Sequence, residues 1–330
     1  MSKKIKDTEY LFISAYLRAQ EPKMLGREKI DRMLSAKSAE DAARVLEECG
    51  FGTFDTVSAT ALEEKIAARR AGYMAELARM CPDIRVVDAF RVKYDYHNAK
   101  VLVKSGGEVR KLLSSAGRLD PEKLADAFRD DAFSGFPPVL TAAIREARDV
   151  LARTGDPQLA DFVLDQAYFR EFMMLTEACK SPFLIGYGKL SADCANLKTA
   201  VRAARMGKDE TFCRRAFVPA GEVSVESLER KLAAGEGIAS LYEGTVLAEA
   251  ARAGEEALAG GRMTRFEREC DNAMVAYLNG AKLAGFGEKV VIGFICALEN
   301  ELSSARIVLT GLLNGLDEQV IRERLRESYV

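Results

Sequence analysis

DYHNAK at residues 95–100, DCANLK at 193–198 and ELSSAR at 301–306 share one pattern: an acid, two variable residues, Asn or Ser, Ala or Leu, and a base. The three acids lie 98 and 108 residues apart, so the unit is about a third of the 330-residue chain. This predicts three similar repeats of several helices each, over residues 1–130, 131–236 and 237–330, rather than a solenoid of short units. The motif residues are Asp95, Asn98, Lys100, Asp193, Asn196, Lys198, Glu301, Ser304 and Arg306.

Weaker similarities accompany the motifs. DQAYFREFM at Asp165 and DNAMVAYLN at Asp271 precede the second and third motifs by 28 and 30 residues, whereas the first copy has Ala67 at this place. A capped helix is expected to return after each motif, in DPEKLADAF from Asp120, SVESLERKL from Ser224 and DEQVIRERL from Asp317. The unit would therefore contain more than the motif helix.

The chain reads as helices throughout. Ser38 begins a helix that Gly50 ends, and Asp120-Pro121 and Asp156-Pro157 each place an N-cap acid before a first-turn proline. No run alternates with the period of a strand, so an all-α fold is predicted. Further helices are predicted at 138–153, 157–180, 190–206, 225–234, 245–259, 265–284, 288–314 and 317–328.

The motif residues invite three interpretations. On a helix, Asp95 and Asn98 share a face, Asn98 lies on an apolar stripe, and Lys100 points away. A buried Asn without a partner costs about 1 to 3 kcal/mol, so each motif would lock its helix against a neighbour. The alternatives are a solvated acidic face with chance similarity and a direct functional role.

Composition and charge exclude several classes. Basic and acidic residues number 48 and 50 and are interleaved, so neither a nucleic-acid surface nor a polybasic membrane anchor is predicted. No signal peptide is expected, and the longest apolar run, residues 290–298, is far shorter than the roughly 20 residues of a spanning helix. The seven widely spaced cysteines suggest buried thiols in a reducing cytosol.

No catalytic, cofactor or metal site is predicted. The glycine pairs at 50 and 52, 186 and 188, and 285 and 287 complete no phosphate-binding motif and read as helix stops and turns. His97 is the only histidine, which excludes multi-histidine metal sites, and we expect it at a surface or packing position. Glu299 and Glu301 point to different helix faces, and 169–175 (FREFMML) reads as a packed face.

The whole chain resembles the C/d subunit family of V-type and A-type ATPases. The resemblance rests on the repeated D-x-x-N-hydrophobic-K pattern, on the run from Tyr10 to Leu34, which looks like the family's opening helix with an Arg-x-x-Glu step at Arg18, and on the closing run from Glu299. The third motif departs from this pattern, with Glu301, Ser304 and Arg306, which keep its charge and polarity.

This resemblance implies a funnel of three helical repeats around a pseudo-threefold axis. It implies a non-catalytic, cofactor-free central-stalk subunit that couples the axle, built from D- and F-type subunits, to the membrane ring of hairpin subunits. Such a chain would be a monomer within a hetero-oligomer, peripheral on the cytoplasmic side and soluble when isolated. The alternatives are an all-helical scaffold that binds partners through a concave surface, and a helical enzyme with a cofactor site that the sequence does not reveal.

Overall fold

The structure, a computed structural model, describes residues 4–327, and within that range it contains helices and no strand. Short 3₁₀ turns occur at Asp7–Tyr10, Glu21–Lys23, Arg110–Leu112 and Ala239–Tyr242. The α-helices are α1 (Leu11–Gln20), α2 (Arg27–Leu34), α3 (Ala39–Glu48), α4 (Ala59–Met80), α5 (Ile84–Ser105), α6 (Pro121–Asp130), α7 (Pro138–Thr154), α8 (Pro157–Cys179), α9 (Pro182–Arg205), α10 (Glu210–Ala216), α11 (Val225–Ala233), α12 (Ala248–Leu258), α13 (Met263–Lys282), α14 (Glu288–Leu313) and α15 (Glu318–Arg322). The all-α prediction is confirmed.

The helices form two compact units. The first consists of the continuous stretch Asp83–Gly261 together with Lys4. Within it, α5 packs along α8, α8 packs along α7, and α9 packs against α8 and α12. The predicted division into three repeats is a different partition and stays a prediction.

The second unit joins the two ends of the chain, Ile5–Pro82 and the residues from Arg262 onward. Its central element is α14, which contacts α1, α2, α3, α4 and α13. The apolar run at 290–298 lies in α14, where Val290, Ile292 and Phe294 are completely buried. This run therefore lies in the core of the second unit, because all of its side chains except the partly buried Cys296 are buried.

Most predicted helices begin and end within three residues of the observed ones. The side chains of Ser38, Asp120, Asp156 and Ser224 accept hydrogen bonds from the first turns of α3, α6, α8 and α11, as N-caps do. The helix α10 was not predicted. Local capping chemistry thus determines these boundaries.

The predicted helix at 190–206 begins eight residues too late. Ser181 caps α9 and Pro182 follows, so the glycines at 186 and 188 lie inside the helix and are not a turn. A Cβ on Gly188 would lie 2.7 Å from the Sδ of Met173, so glycine lets α8 and α9 approach closely. The other two glycine pairs do lie in turns, with positive φ at Gly50 and Gly287.

Two further expectations are wrong in detail. The opening run is not one helix, because a 3₁₀ turn containing Pro22 separates α1 from α2, although Arg18 and Glu21 do form an ion pair of 2.8 Å. The helix from Asp317 ends at Arg322, and the Asp317 side chain makes no capping bond. Position 328 of that prediction lies outside the described residues.

No helix among residues 4–327 combines the length and the apolar character needed to cross a membrane.

Candidate functional site

The first repeat motif forms a buried carboxylate site, which we call socket 1. Asp95 on α5 is fully buried, and its Oδ1 accepts hydrogen bonds from the backbone N–H groups of Arg118 (2.9 Å) and Leu119 (3.1 Å). Its Oδ2 accepts from the Nε of Arg118 at 2.6 Å. One carboxylate therefore holds the loop immediately before α6, whose N-cap is Asp120.

Asn98, one helical turn further along α5, holds the same loop at a second point. Its Nδ2 donates to the carbonyl of Ser114 (2.9 Å), and its Oδ1 accepts from the N–H of Ser114 (2.7 Å). This reciprocal pair gives both backbone groups of the partly buried Ser114 a partner.

The second motif repeats this geometry on α9 as socket 2. Asp193 accepts from the N–H groups of Glu222 and Val223, both at 3.0 Å, just before Ser224 caps α11. Asn196 makes the reciprocal pair with the backbone of Val218, at 2.9 and 2.8 Å. Both hydrogen bonds that Asp193 accepts come from the backbone, whereas Asp95 also binds an arginine.

A glycine completes each of these two sockets. A Cβ on Gly117 would lie 2.3 Å from the Oδ1 of Asp95, and one on Gly221 would lie 2.1 Å from the Oδ1 of Asp193. Only glycine lets the loop pass so close to the short aspartate side chain. The repeated sequence AGRLDPEKL and AGEVSVESL, at 116–124 and 220–228, carries this signal, although the prediction of a returning helix rested only on its second half.

The third motif forms socket 3 in the second unit, with different partners. Glu301 on α14 accepts from the N–H of Leu25 at 2.9 Å, and its carboxylate receives two hydrogen bonds from Arg69, at 2.9 and 3.0 Å. The side chains of both Glu301 and Arg69 are buried. Arg69 also stacks on Phe51 and Tyr73, with its Cζ 4.7 and 5.2 Å from the ring centroids. Ser304, the counterpart of the asparagines, is buried.

The basic residues of the motifs lie at partly exposed positions of their helices. Lys100 pairs with Asp165 of α8 at 2.6 Å, and Arg306 pairs with Glu63 of α4 at 2.7 Å. Lys198 is half-buried. These pairs are more exposed than the carboxylates of the three sockets.

Burial dominates the electrostatics of the sockets. It raises the pKa of Asp95, against the lowering effect of Arg118, and it raises the pKa of Glu301, against the lowering effect of Arg69. Burial also raises the pKa of Asp193, where two backbone N–H groups oppose it. Each carboxylate needs its donors, because desolvation disfavours its charged form.

The other sequence candidates are dispersed. His97 is exposed, and its Nε2 lies 3.2 Å from the carbonyl oxygen of Leu112. Glu299 pairs with Arg70 rather than with Arg69, so it and Glu301 do face different neighbours. In the segment 169–175, Phe172 is buried while Met174 is 59% exposed.

The described residues contain no group of three or more His, Cys, Asp or Glu side chains that could hold a metal ion. Asp95 and Asn98 therefore bind one loop, and Asp193 and Asn196 bind another. Glu301 binds the segment just before α2. Each arrangement positions backbone. The structural role assigned to all nine motif residues stays a prediction.

Comparison with known proteins identifies the family. Residues 13–324 match the family described as ATP synthase (C/AC39) subunit. The C subunit of the V-type sodium ATPase of Enterococcus hirae is 20% identical over 97% of this chain and 99% of its own length. The C subunit of the A-type ATP synthase of Methanocaldococcus jannaschii is 24% identical over 96% of this chain and 86% of its own length. This chain belongs to the ATP synthase (C/AC39) subunit family, as its sequence motifs indicated.

Proposed function

We propose that this chain is the non-catalytic central-stalk subunit of a rotary ATPase, in which it transmits rotation between the axle and the membrane ring. The observation that carries the proposal is the family match over nearly the whole chain. The two relatives are named as subunits of a sodium ATPase and of an ATP synthase, so similar subunits occur in complexes of both kinds.

The sockets support a mechanical role. A transmission part must resist deformation, and loops are ordinarily the most compliant parts of a helical protein. Here the loops before α2, α6 and α11 are each tied to the middle of a long helix by a buried carboxylate. Such ties stiffen each unit, because releasing a loop would leave a buried charge without donors.

We further propose that three repeats, each built around one socket, form the funnel that the family resemblance implies. The axle, of D- and F-type subunits, would bind one end, and the ring of hairpin subunits the other. Each joint should bury at least about 1,200 to 2,000 Å² with complementary charge, because a smaller contact would slip under torque. The chain would then act as a monomer within the complex, peripheral to the membrane on the cytoplasmic side.

The test is reconstitution of the ATPase into vesicles with and without this chain. Without it, we expect ATP hydrolysis to continue while ion transport per ATP collapses, because the nucleotide sites belong to other subunits and only the transmission is missing. Adding the purified chain back should restore transport, and the head should detach from vesicles more easily in its absence.

The control is a chain changed at an exposed side chain outside the sockets, Arg129→Lys, which should restore transport fully. If transport per ATP were unchanged when the chain is absent, the coupling role would be wrong. The scaffold alternative would then replace it.

A further inference from the structure

The loop held by Glu301 comes from the opposite end of the chain. In sockets 1 and 2 the carboxylate binds a loop that follows its own helix, at Leu119 and Val223. In socket 3 the backbone donor is Leu25, which precedes Glu301 by 276 positions. The segment that fills this place is therefore not the one that follows α14 in sequence.

The three bound loops align residue by residue. The segments are PKMLGREKI at 22–30, AGRLDPEKL at 116–124 and AGEVSVESL at 220–228. In each, the residue that donates to the carboxylate is followed by the N-cap of a helix, in extended conformation, at Gly26, Asp120 or Ser224. Two residues after each cap stands a glutamate, and four residues after it a buried apolar side chain. These are Glu28 and Ile30, Glu122 and Leu124, and Glu226 and Leu228.

The differences have a physical explanation. Lys23 stands where the other loops have Gly117 and Gly221, which must clear an aspartate. Glu301 is one methylene longer, so its carboxylate reaches the loop without drawing the backbone so near. Gln20, which aligns with Ser114 and Val218, is the last residue of α1, so its N–H is bonded inside a helix and needs no asparagine.

We infer that residues 22–34 are the returning segment of the third repeat, moved to the start of the chain. Glu301 holds this segment against α14, and we call this contact the latch. The helix α15, which follows α14 in sequence, is five residues long and has no side-chain cap. The inference concerns chain connectivity and is independent of the coupling role.

Hydrogen exchange of the full-length chain tests the latch. In Glu301→Gln, an amide replaces an oxygen that accepts from Leu25 or Arg69, so exchange at residues 22–34 should rise about ten-fold or more. The matched variant Asp193→Asn should instead raise exchange at 220–228 and leave 22–34 unchanged. Faster exchange at 317–322 with no change at 22–34 in Glu301→Gln would overturn the inference.

A circular permutant provides the second test and keeps every residue. It begins at Lys37 and runs to residue 330, where a linker of about 20 Gly and Ser residues leads into residues 1–36. Such a linker spans about 25 Å. Arg322 of α15 and Asp31 of α2 form an ion pair of 2.6 Å, so the segment after α14 and the segment 22–34 are already neighbours within the second unit. We expect native protection at 22–34, and its loss when Leu25→Pro removes the donor. A permutant that protects 83–261 but not 22–34 would contradict the latch.

Discussion

Sockets 1 and 2 close within one continuous unit, whereas socket 3 closes between the two ends of the chain. In the first unit a loop 23 to 30 residues downstream returns to its own motif helix, and a glycine lets it approach an aspartate. In the second unit the loop arrives from the N-terminal end, a longer glutamate replaces the aspartate, and Lys23 stands in place of the glycine. In all three sockets a buried carboxylate holds a loop against a long helix. The residues that do so differ where the loop comes from the other end of the chain.

The largest effect is expected from breaking the buried ion pair of socket 3. Arg69→Met should lower the free energy of unfolding by about 3 to 5 kcal/mol, because it leaves the Glu301 carboxylate buried without its cation. Chemical denaturation measures this. Arg306→Met, at an exposed pair nearby on α14, is the control and should cost less than about 1 kcal/mol.

The pH dependence of Arg69→Met gives an independent check. Burial already raises the pKa of Glu301, and removing Arg69 takes away an influence that lowers it. The folded variant therefore holds this proton more tightly than the unfolded chain does, so stability rises as pH falls toward the ordinary glutamate value of 4.5. The deficit relative to wild type should shrink on acidification, and a deficit that grows would show that the carboxylate is not buried.

A slightly smaller effect is expected at the glycine of socket 2. Gly221→Ala places a Cβ about where the Asp193 carboxylate lies, so one of the two must move and hydrogen bonds are lost. We expect a loss of about 2 to 4 kcal/mol, with Gly117→Ala behaving alike in socket 1. Gly285→Ala, where the added Cβ would meet no atom within 4 Å beyond the adjacent residues of the chain, should change stability by less than about 0.5 kcal/mol. Equal effects at 221 and 285 would contradict the close approach.

The asparagines should rank below the glycines. Asn196→Ala removes both partners of the Val218 backbone and should cost about 1 to 3 kcal/mol. Asn98→Ala should cost less, because the groups of Ser114 are only partly buried. Thermal melting of these two variants beside Ser304→Ala ranks the three positions. Melting unchanged in all three would show that these residues are not structural ties.

The smallest effect is expected from the partly exposed basic residues of the motifs. Lys100→Met breaks the pair with Asp165, in which both side chains are partly exposed, so it should cost less than about 1 kcal/mol and less again at high salt. A salt-independent loss comparable with that of Asn98→Ala would place Lys100 among the structural residues of socket 1.

The sequence predicted what local chemistry determines. Caps such as Ser38 and Asp120 set helix ends within a few residues, and the motif spacing identified the three positions that became sockets. Gly188 was misread as a turn, because a glycine that serves close helix packing looks the same in sequence as one that ends a helix. The start of α9 was missed for that reason.

The partner of Glu301 could not be predicted in the same way. A motif and the loop after it are neighbours in the chain, so Asp120 and Ser224 were easy to associate with the first two motifs. The same reasoning predicted that the third motif would be followed by its loop at Asp317. In the structure, tertiary packing instead brings Leu25 to Glu301. Aligning residues 22–30 with the other two loops would have found it, but that comparison has meaning only once the sockets are known.

The central claim is that this chain turns with the axle, and a covalent link between the two tests it most directly. The chain carries a photo-reactive cross-linker on an exposed side chain, complexes joined to an axle subunit are isolated, and ATP-driven ion transport is measured in vesicles. The account predicts unchanged transport, because two parts that rotate together lose nothing when they are joined. Transport and ATP hydrolysis that both stop on linking would show a stationary scaffold and contradict the account.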